Sequence, residues 1–270
     1  MGQEAQPNPI ATKRVVYTMP GMDGVTVRRD QEFLTTDSGP LTMDLYHPPD
    51  FESGSRLPAV VVVSGYPDPG FQKVVGCQFK DMGWTVSWGR LVAASGLAAI
   101  AYTNRDPVSE VRALLQYVRK NAKSLGIDEN RLAVLACSGH VPVALSFLMH
   151  EARDVKCAVL CYGYMLDLDG FTGVADAAKM IGFVNAGAGT SVEDLPHDLP
   201  LFIVRAGQDE LPHLNESIDR FLVKALAHNL PVTLVNHHVA PHAFDLLHDS
   251  DTSRDIVRSM LEFMRFHLLM

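Results

Sequence analysis

The chain has 270 residues, a formal net charge of −8 at pH 7 and 47% hydrophobic residues. This length suits one large domain, or a domain with a small cap, and the apolar content is ample for a core. The acidic balance and the scattered Lys and Arg residues argue against a nucleic-acid partner. The longest apolar runs fall far short of the roughly 18 residues that indicate a membrane span.

The N-terminal part of the chain, residues 1–24, is polar and contains prolines. We predict a leader or an arm there that packs on a neighbouring molecule, which would make the protein a homodimer. The main domain is then residues 25–270. Four cysteines are too few for a disulfide framework in a chain this long, so we predict a cytoplasmic protein, unless a signal peptide has been removed.

The first elements of the main domain are strands. Residues 25–34 and 41–47 each have a strand pattern, and turn residues separate them, which predicts an antiparallel hairpin. Residues 58–64 form a continuous run of mostly β-branched residues, typical of a strand that is covered on both faces. A helix at residues 88–95 and a strand at residues 97–102 are expected to follow.

Strands then alternate with helices to the end of the chain. The most distinct helix begins at Asp106-Pro107 and ends before Gly126. The remaining predicted elements are strands at residues 132–136, 155–162, 200–205 and 232–236 and helices after residue 139 and at residues 214–227 and 251–268. This alternation predicts an α/β fold with a mostly parallel central sheet and helices on both faces.

Residues 163–199 interrupt this alternation. They are rich in Gly and Ala and contain one helical piece near residues 174–183. A loop of this length is often functional, so we predict a small cap or lid over the site. The alternative is an ordinary crossover helix with long loops.

A serine occupies the turn between the strand at residues 132–136 and the next helix. The residues are Ala136-Cys137-Ser138-Gly139-His140, which departs from the G-x-S-x-G pattern of nucleophilic serines at both glycines. The backbone N–H of Gly139, at the start of a helix, is a candidate donor to an oxyanion. The large side chain of His140 either packs beside the sheet or contacts the substrate.

Two further residues supply what such a serine would need. Asp209 lies just past the strand at residues 200–205, and Glu210 is the neighbouring alternative. His242 lies in the loop after the last strand. A histidine can take the proton of a serine, and a carboxylate can orient that histidine. Because loops at the carboxyl ends of parallel strands share one edge of the sheet, we expect Ser138, Asp209 and His242 to meet.

The loop Ser64-Gly65-Tyr66 follows the strand at residues 58–64. The backbone N–H of Gly65 or Tyr66 is a candidate for the second oxyanion donor. Aromatic residues in and after this loop either pack in the core or form a wall against the substrate, and Trp88 is among the substrate-contacting candidates. The histidines near the C-terminus lack the spacing of a zinc motif, so no metal site is predicted.

With these motifs the chain resembles the α/β-hydrolase family, and within it the dienelactone hydrolase-like and small-ester carboxylesterase branches. The resemblance is carried by LAVLACSGH, RAGQDE, APHAF, VVVVSGYPD and GRLVAASGLAAIAYTNR. It implies hydrolysis of a small-molecule ester or lactone through an acyl-serine intermediate, without a cofactor. It assigns Ser138 as the nucleophile, His242 as the base and Asp209 as its orienting acid.

Three alternatives stay open at this point. Dienelactone hydrolases use a cysteine nucleophile. A shift of one residue would place Cys137 in that role, and Gly139 would then be the second glycine of the pattern. The missing glycines are also compatible with a binding protein of this fold that has lost catalysis. A peptidase or acyltransferase is the third alternative.

Overall fold

The computed structural model describes residues 8–270, and that range contains one eight-stranded sheet. Its strands are β1 (Thr26–Thr36), β2 (Gly39–His47), β3 (Leu57–Val62), β4 (Ala98–Tyr102), β5 (Ile127–Cys137), β6 (Val155–Cys161), β7 (Leu201–Ala206) and β8 (Val232–His237). They lie in the order β1-β2-β4-β3-β5-β6-β7-β8. β2 is antiparallel to β1 and to β4, and the other neighbouring pairs are parallel. The predicted hairpin and the mostly parallel sheet are therefore both present.

The helices of the described residues are α1 (Pro9–Thr12), α2 (Asp68–Val75), α3 (Gly83–Ala94), α4 (Pro107–Leu125), α5 (Val141–Glu151), α6 (Gly173–Ile181), α7 (Leu214–Ala227), α8 (Phe244–Leu247) and α9 (Asp251–Leu269). The predicted bounds of α4, α7 and α9 agree with these within a residue. None of the helices in residues 8–270 is both long enough and apolar enough to cross a membrane.

Two helices differ from the prediction. α3 begins at Gly83, five residues before the predicted start at residue 88. A glycine followed by the β-branched Thr85 and Val86 has low helix propensity, and burial of the helix face outweighs that cost. α2 lies in a stretch of turn-forming residues and was not predicted, although proline in a first helical turn, as at Pro69, is well tolerated.

The central strands bury side chains on both faces. In β3, Val61 belongs to the core cluster that includes residues of α4, α5 and α7, whereas Val60 and Val62 belong to the cluster that includes residues of α3 and α9. Successive side chains of a strand point to opposite faces, so an unbroken apolar run fits a sheet with a helical layer on each side.

The segment at residues 163–199 connects β6 to β7 and contains α6. Its residues Val174 and Phe183 are buried in the same core cluster as α5 and α7. The N–H of Val184 donates to the carbonyl oxygen of Gly65 at 2.9 Å. The segment therefore packs on the domain and supports the loop after β3.

The described part of the N-terminal segment packs on its own domain. Ala11 and Val15 are buried. The N–H of Val16 donates to the carbonyl oxygen of Asp245 at 2.8 Å. Residues 1–7 of the predicted arm lie outside the described residues, and the homodimer stays a prediction.

Candidate active site

The predicted site residues come from four loops at one edge of the sheet. Ser138 directly follows β5, and residues 64–66 follow β3. Asp209 follows β7, and His242 follows β8. All four strands are parallel, so these loops emerge together at the carboxyl edge, where open α/β sheets bind ligands.

Ser138, His242 and Asp209 form a chain of hydrogen bonds. Ser138 Oγ lies 3.0 Å from His242 Nε2, and His242 Nδ1 lies 2.6 Å from Asp209 Oδ2. The Asp209 side chain has no exposed surface, and its other oxygen accepts the N–H of Leu211 at 3.0 Å. Because Nδ1 faces a carboxylate it carries a proton, which leaves Nε2 to accept from the serine hydroxyl. This arrangement can deprotonate Ser138 and make it a nucleophile.

The turn that carries Ser138 is sharp. Ser138 has a φ of 53°, in the left-handed region that non-glycine residues rarely adopt. A 3-10 turn at Ser138–His140 follows and leads into α5. A Cβ on Gly139 would lie 2.9 Å from the Cβ of Phe183, so glycine is needed there. Ala136, in the first glycine position of the pattern, is fully buried, so its methyl group is accommodated.

His140 occupies the second glycine position. Its side chain packs against the rings of Phe79 and Tyr66, with centroid distances of 4.3 and 5.0 Å. His140 Nδ1 accepts a hydrogen bond from the N–H of Gly65 at 2.8 Å. Burial lowers the pKa of His140 to about 3, so the ring is neutral at pH 7. His140 also lines the cavity beside Ser138. The residue therefore packs in the core and lies where a ligand could contact it, which combines the two predicted alternatives.

Of the two predicted alternatives for the second oxyanion donor, Gly65 is already engaged, because its N–H donates to His140. The N–H groups of Tyr66 and Gly139 make no hydrogen bond to other residues in the described part of the chain. A Cβ on Gly65 would lie 2.6 Å from the Cα of His140, so the two loops touch backbone to backbone. Tyr66 and Gly139 are therefore the available donors.

A cavity of about 270 Å³ opens at Ser138 and His242. Most of its walls are apolar, and they include Ile10, Phe71, Val75, Met82, Trp84 and Leu246. An apolar cavity with a few convergent polar groups is typical of a site for small organic molecules. The walls come from α1, from residues 66–84 and from α8, whereas the predicted cap at residues 163–199 contributes none of the described lining residues.

Trp88 does not line this cavity, contrary to the prediction. It is fully buried one helical turn behind Trp84, which does line it. The reason is the earlier start of α3, which places Trp84 rather than Trp88 at the end of the helix near Ser138. Both indole N–H groups donate to Asp245 Oδ2, at 2.7 and 3.0 Å.

Asp245 was missed in the sequence. It is buried, and its Oδ1 accepts the hydroxyl of Tyr162 at 2.6 Å. The ring of Tyr162 meets His242 edge-on with centroids 5.0 Å apart. Burial raises the pKa of the Asp245 carboxyl, although its three donors favour the charged form. Asp245 thus ties Trp84, Tyr162 and the loop of His242 together. The available signal was one acidic residue among the apolar residues that follow His242.

Cys137 and Glu210, the alternative residues, are placed differently. Burial raises the pKa of the Cys137 thiol well above its usual range, which disfavours the reactive thiolate. His242 Nε2 is hydrogen-bonded to the hydroxyl of Ser138 and so is positioned to activate the serine. Glu210 is exposed, whereas its neighbour Asp209 reaches His242.

Solved structures with the same fold share little sequence with this chain. A thermophilic esterase from Thermogutta terrifontis has 19% identity over 92% of this chain and 95% of that chain, with a TM-score of 0.62. A bacterial heroin esterase has 18% identity over 92% and 86%, with a TM-score of 0.65. An α/β-hydrolase enzyme from a Medee basin deep-sea metagenome has 15% identity over 92% and 99%, with a TM-score of 0.65.

Esterase 2 from the same Thermogutta species has also been solved phosphorylated by paraoxon. No protein-family model matches the sequence, and neither does any curated protein. The structural likenesses establish the α/β-hydrolase fold, as predicted.

Proposed function

We propose that this protein is a serine hydrolase that cleaves small carboxylic esters or lactones. The observation that carries the proposal is the hydrogen-bonded chain from Ser138 through His242 to the buried Asp209, at 3.0 and 2.6 Å. Structural neighbours that are esterases support the same class of reaction.

The reaction follows from the positions of these groups. Ser138 Oγ attacks the ester carbonyl while His242 Nε2 takes its proton, and Asp209 stabilises the resulting imidazolium. The N–H groups of Gly139 and Tyr66 hold the oxyanion of the tetrahedral intermediate. His242 then protonates the leaving alcohol. Water, activated by the same imidazole, releases the acid from the acyl-serine.

Serine is the better candidate nucleophile than cysteine here. Ser138 is bonded to the histidine, and the neighbouring Cys137 thiol has a raised pKa. This favours a carboxylesterase-like enzyme over one of the dienelactone hydrolase type. A small apolar cavity and strained φ at Ser138 favour an enzyme over a binding protein that has lost catalysis. The cytoplasmic location, the homodimer and the choice between ester and lactone remain predictions.

Replacement of the nucleophile tests the proposal. We expect Ser138→Ala to lower kcat for a short-chain p-nitrophenyl ester by at least about a thousandfold, because the residual rate comes only from binding and the oxyanion donors. Paraoxon should phosphorylate the wild-type protein at Ser138 with release of p-nitrophenolate, as measured by mass spectrometry of its peptides.

Cys137→Ala is the matched control, since it changes the adjacent side chain and leaves the serine. It should keep most of the activity and all of the phosphorylation. Full activity of Ser138→Ala, or loss of activity in Cys137→Ala alone, would exclude the proposed mechanism.

A further inference from the structure

The two ring nitrogens of His140 have different roles. Nδ1 accepts the N–H of Gly65 at 2.8 Å, so Nδ1 carries no proton. The ring is neutral, because burial lowers its pKa to about 3. A neutral imidazole has one N–H, and it must therefore be on Nε2. The contact with Gly65 thus fixes the tautomer of His140 in which Nε2 carries the proton and can donate a hydrogen bond.

This Nε2–H has no protein partner within residues 8–270, although the residue is only 5% exposed. Among residues 8–270, the fully occluded side-chain N and O atoms without a partner do not include Nε2, so this atom keeps some accessible surface. Since His140 lines the cavity together with Ser138 and His242, this cavity is the route by which water or a ligand can reach the N–H. A buried donor without a partner is costly, and the surrounding walls are mostly apolar.

We propose that His140 donates this hydrogen bond to a second oxygen of the substrate, outside the ester group that is cleaved. The proposal rests on the proposed ester hydrolysis and names its substrate class: esters whose acyl or alcohol part carries an ether, hydroxyl or carbonyl oxygen. In the proposed reaction the oxyanion is held by two backbone donors, Gly139 and Tyr66, so His140 is left for another acceptor.

The enzyme would prefer esters with this second oxygen, because an ester without it leaves the N–H of His140 unpaired. In the free protein, water can reach Nε2 through the cavity. A substrate with an oxygen at that position replaces the water and keeps the hydrogen bond. A substrate with a methylene group there displaces the water and buries the N–H without a partner, and sites with a buried donor reject such analogues.

The test uses pairs of esters that differ by one ether oxygen in place of a methylene group. For the acyl part the pair is p-nitrophenyl methoxyacetate and p-nitrophenyl butanoate. For the alcohol part it is methoxyethyl acetate and butyl acetate. The readout is the ratio of kcat/KM within a pair, compared between variants, because this comparison cancels the intrinsic reactivity of each ester.

The informative variant is His140→Asn. Its Oδ1 can still accept the N–H of Gly65, but it has no donor at the position of Nε2. We expect the preference for the ether member to fall by about tenfold in at least one pair, the size of one lost hydrogen bond. His140→Gln, whose Nε2 can replace the ring nitrogen, should restore part of that preference.

An equal decrease of kcat/KM for both members of each pair would overturn the inference. A purely structural role or an oxyanion role for His140 would lower kcat/KM for all esters alike. If the wild-type protein hydrolyses no ester in either pair, the proposed function fails and the inference falls with it. If it hydrolyses them and His140→Asn leaves both ratios unchanged, only the inference fails.

A second measurement does not depend on the folding of a His140 variant. A crystal structure of Ser138→Ala with p-nitrophenyl methoxyacetate, and one with methoxyethyl acetate, would locate the ether oxygens directly. We expect one of them within about 3.2 Å of His140 Nε2. Contact of Nε2 with the scissile carbonyl oxygen, or with no substrate oxygen in either complex, would contradict the inference.

Discussion

Asp209 and Glu210 are adjacent acidic residues in one loop, yet they lie in opposite environments. Asp209 is bonded to His242 at 2.6 Å and to the N–H of Leu211 at 3.0 Å, and its side chain has no exposed surface. Glu210 is exposed to solvent. Because a carboxylate orients the histidine only through direct contact, Asp209 alone can serve this function.

Replacing either acid by its amide tests this assignment. We expect Asp209→Asn to lower kcat on the order of a thousandfold or more, because an amide can donate to Nδ1 and so favour the wrong tautomer of His242. Glu210→Gln, the same chemical change one residue along, should leave kcat unchanged. Steady-state kinetics with a p-nitrophenyl ester measures both, and a larger loss in Glu210→Gln would reverse the assignment.

His140 also makes the stability of the protein depend on pH. Its pKa is lowered from 6.5 to about 3 in the folded protein, so at mildly acidic pH the unfolded chain binds a proton that the folded chain does not. The free energy of unfolding therefore falls as the pH decreases from 6.5 towards 3.

From pH 7 to pH 5 this group alone should lower the free energy of unfolding by about 2 kcal/mol. The variant His140→Asn lacks the titrating group, so its stability should fall by about 2 kcal/mol less than that of the wild type over the same interval. Urea unfolding at both pH values measures the difference. An equal decrease in the two proteins would mean that His140 is protonated in the folded state.

At the scale of elements, the site depends on close approach between the loop after β3 and the turn that begins α5. Gly65 donates its N–H to His140 and accepts the N–H of Val184, so the loop is held from two sides. A Cβ on Gly65 would meet the backbone of Gly139 and His140. This contact fixes the backbone directly before Tyr66, whose N–H is a proposed oxyanion donor.

Gly65→Ala should therefore displace this loop and lower kcat by about a hundredfold, the typical effect of losing one oxyanion donor. Gly70→Ala is the control: a Cβ there meets no atom within 4 Å. It should leave kcat unchanged. Circular dichroism spectra of both variants would establish that each is folded, and full activity of folded Gly65→Ala would contradict this role of the loop.

At the scale of the whole molecule, a buried ion pair joins the β1–β2 hairpin to the segment that forms the cavity wall. The Lys80 side chain is 3% exposed and contacts Asp44 of β2 at 3.2 Å and Asp30 of β1 at 2.9 Å. Its neighbour Phe79 packs on the ring of His140. The hairpin at one edge of the sheet is thus connected to the site through two adjacent residues.

Lys80→Met should reduce the free energy of unfolding by about 3 kcal/mol. The change removes the positive charge beside the carboxylate of Asp44, which is fully buried and is costly to keep charged without that partner. Lys179→Met removes an ion pair with Asp176 at the surface, where the lysine is 77% exposed. That change should cost less than about 0.5 kcal/mol. Urea denaturation measures both free energies of unfolding, and equal effects would show that the loss of Lys80 costs no more than the loss of a surface lysine.

The sequence by itself determined the class of the fold, and it predicted that three particular side chains would meet at one edge of the sheet. Apolar runs, helix caps and turn residues are local signals, and they predicted β2, α4 and α7 with nearly correct bounds. The order Ser138, Asp209, His242 after successive parallel strands was enough to predict that they meet, because parallel strands place their carboxyl ends at one edge of the sheet.

Only the tertiary structure decided which groups remain free at the site. Whether the N–H of Gly65 points to an oxyanion or to His140, and whether Trp84 or Trp88 reaches the cavity, depends on contacts between distant parts of the chain. The same is true of Asp245, whose partners lie in α3 and after β6. Hydrogen bonds form or fail over a few tenths of an ångström, and the periodic patterns of a sequence do not specify distances between its loops.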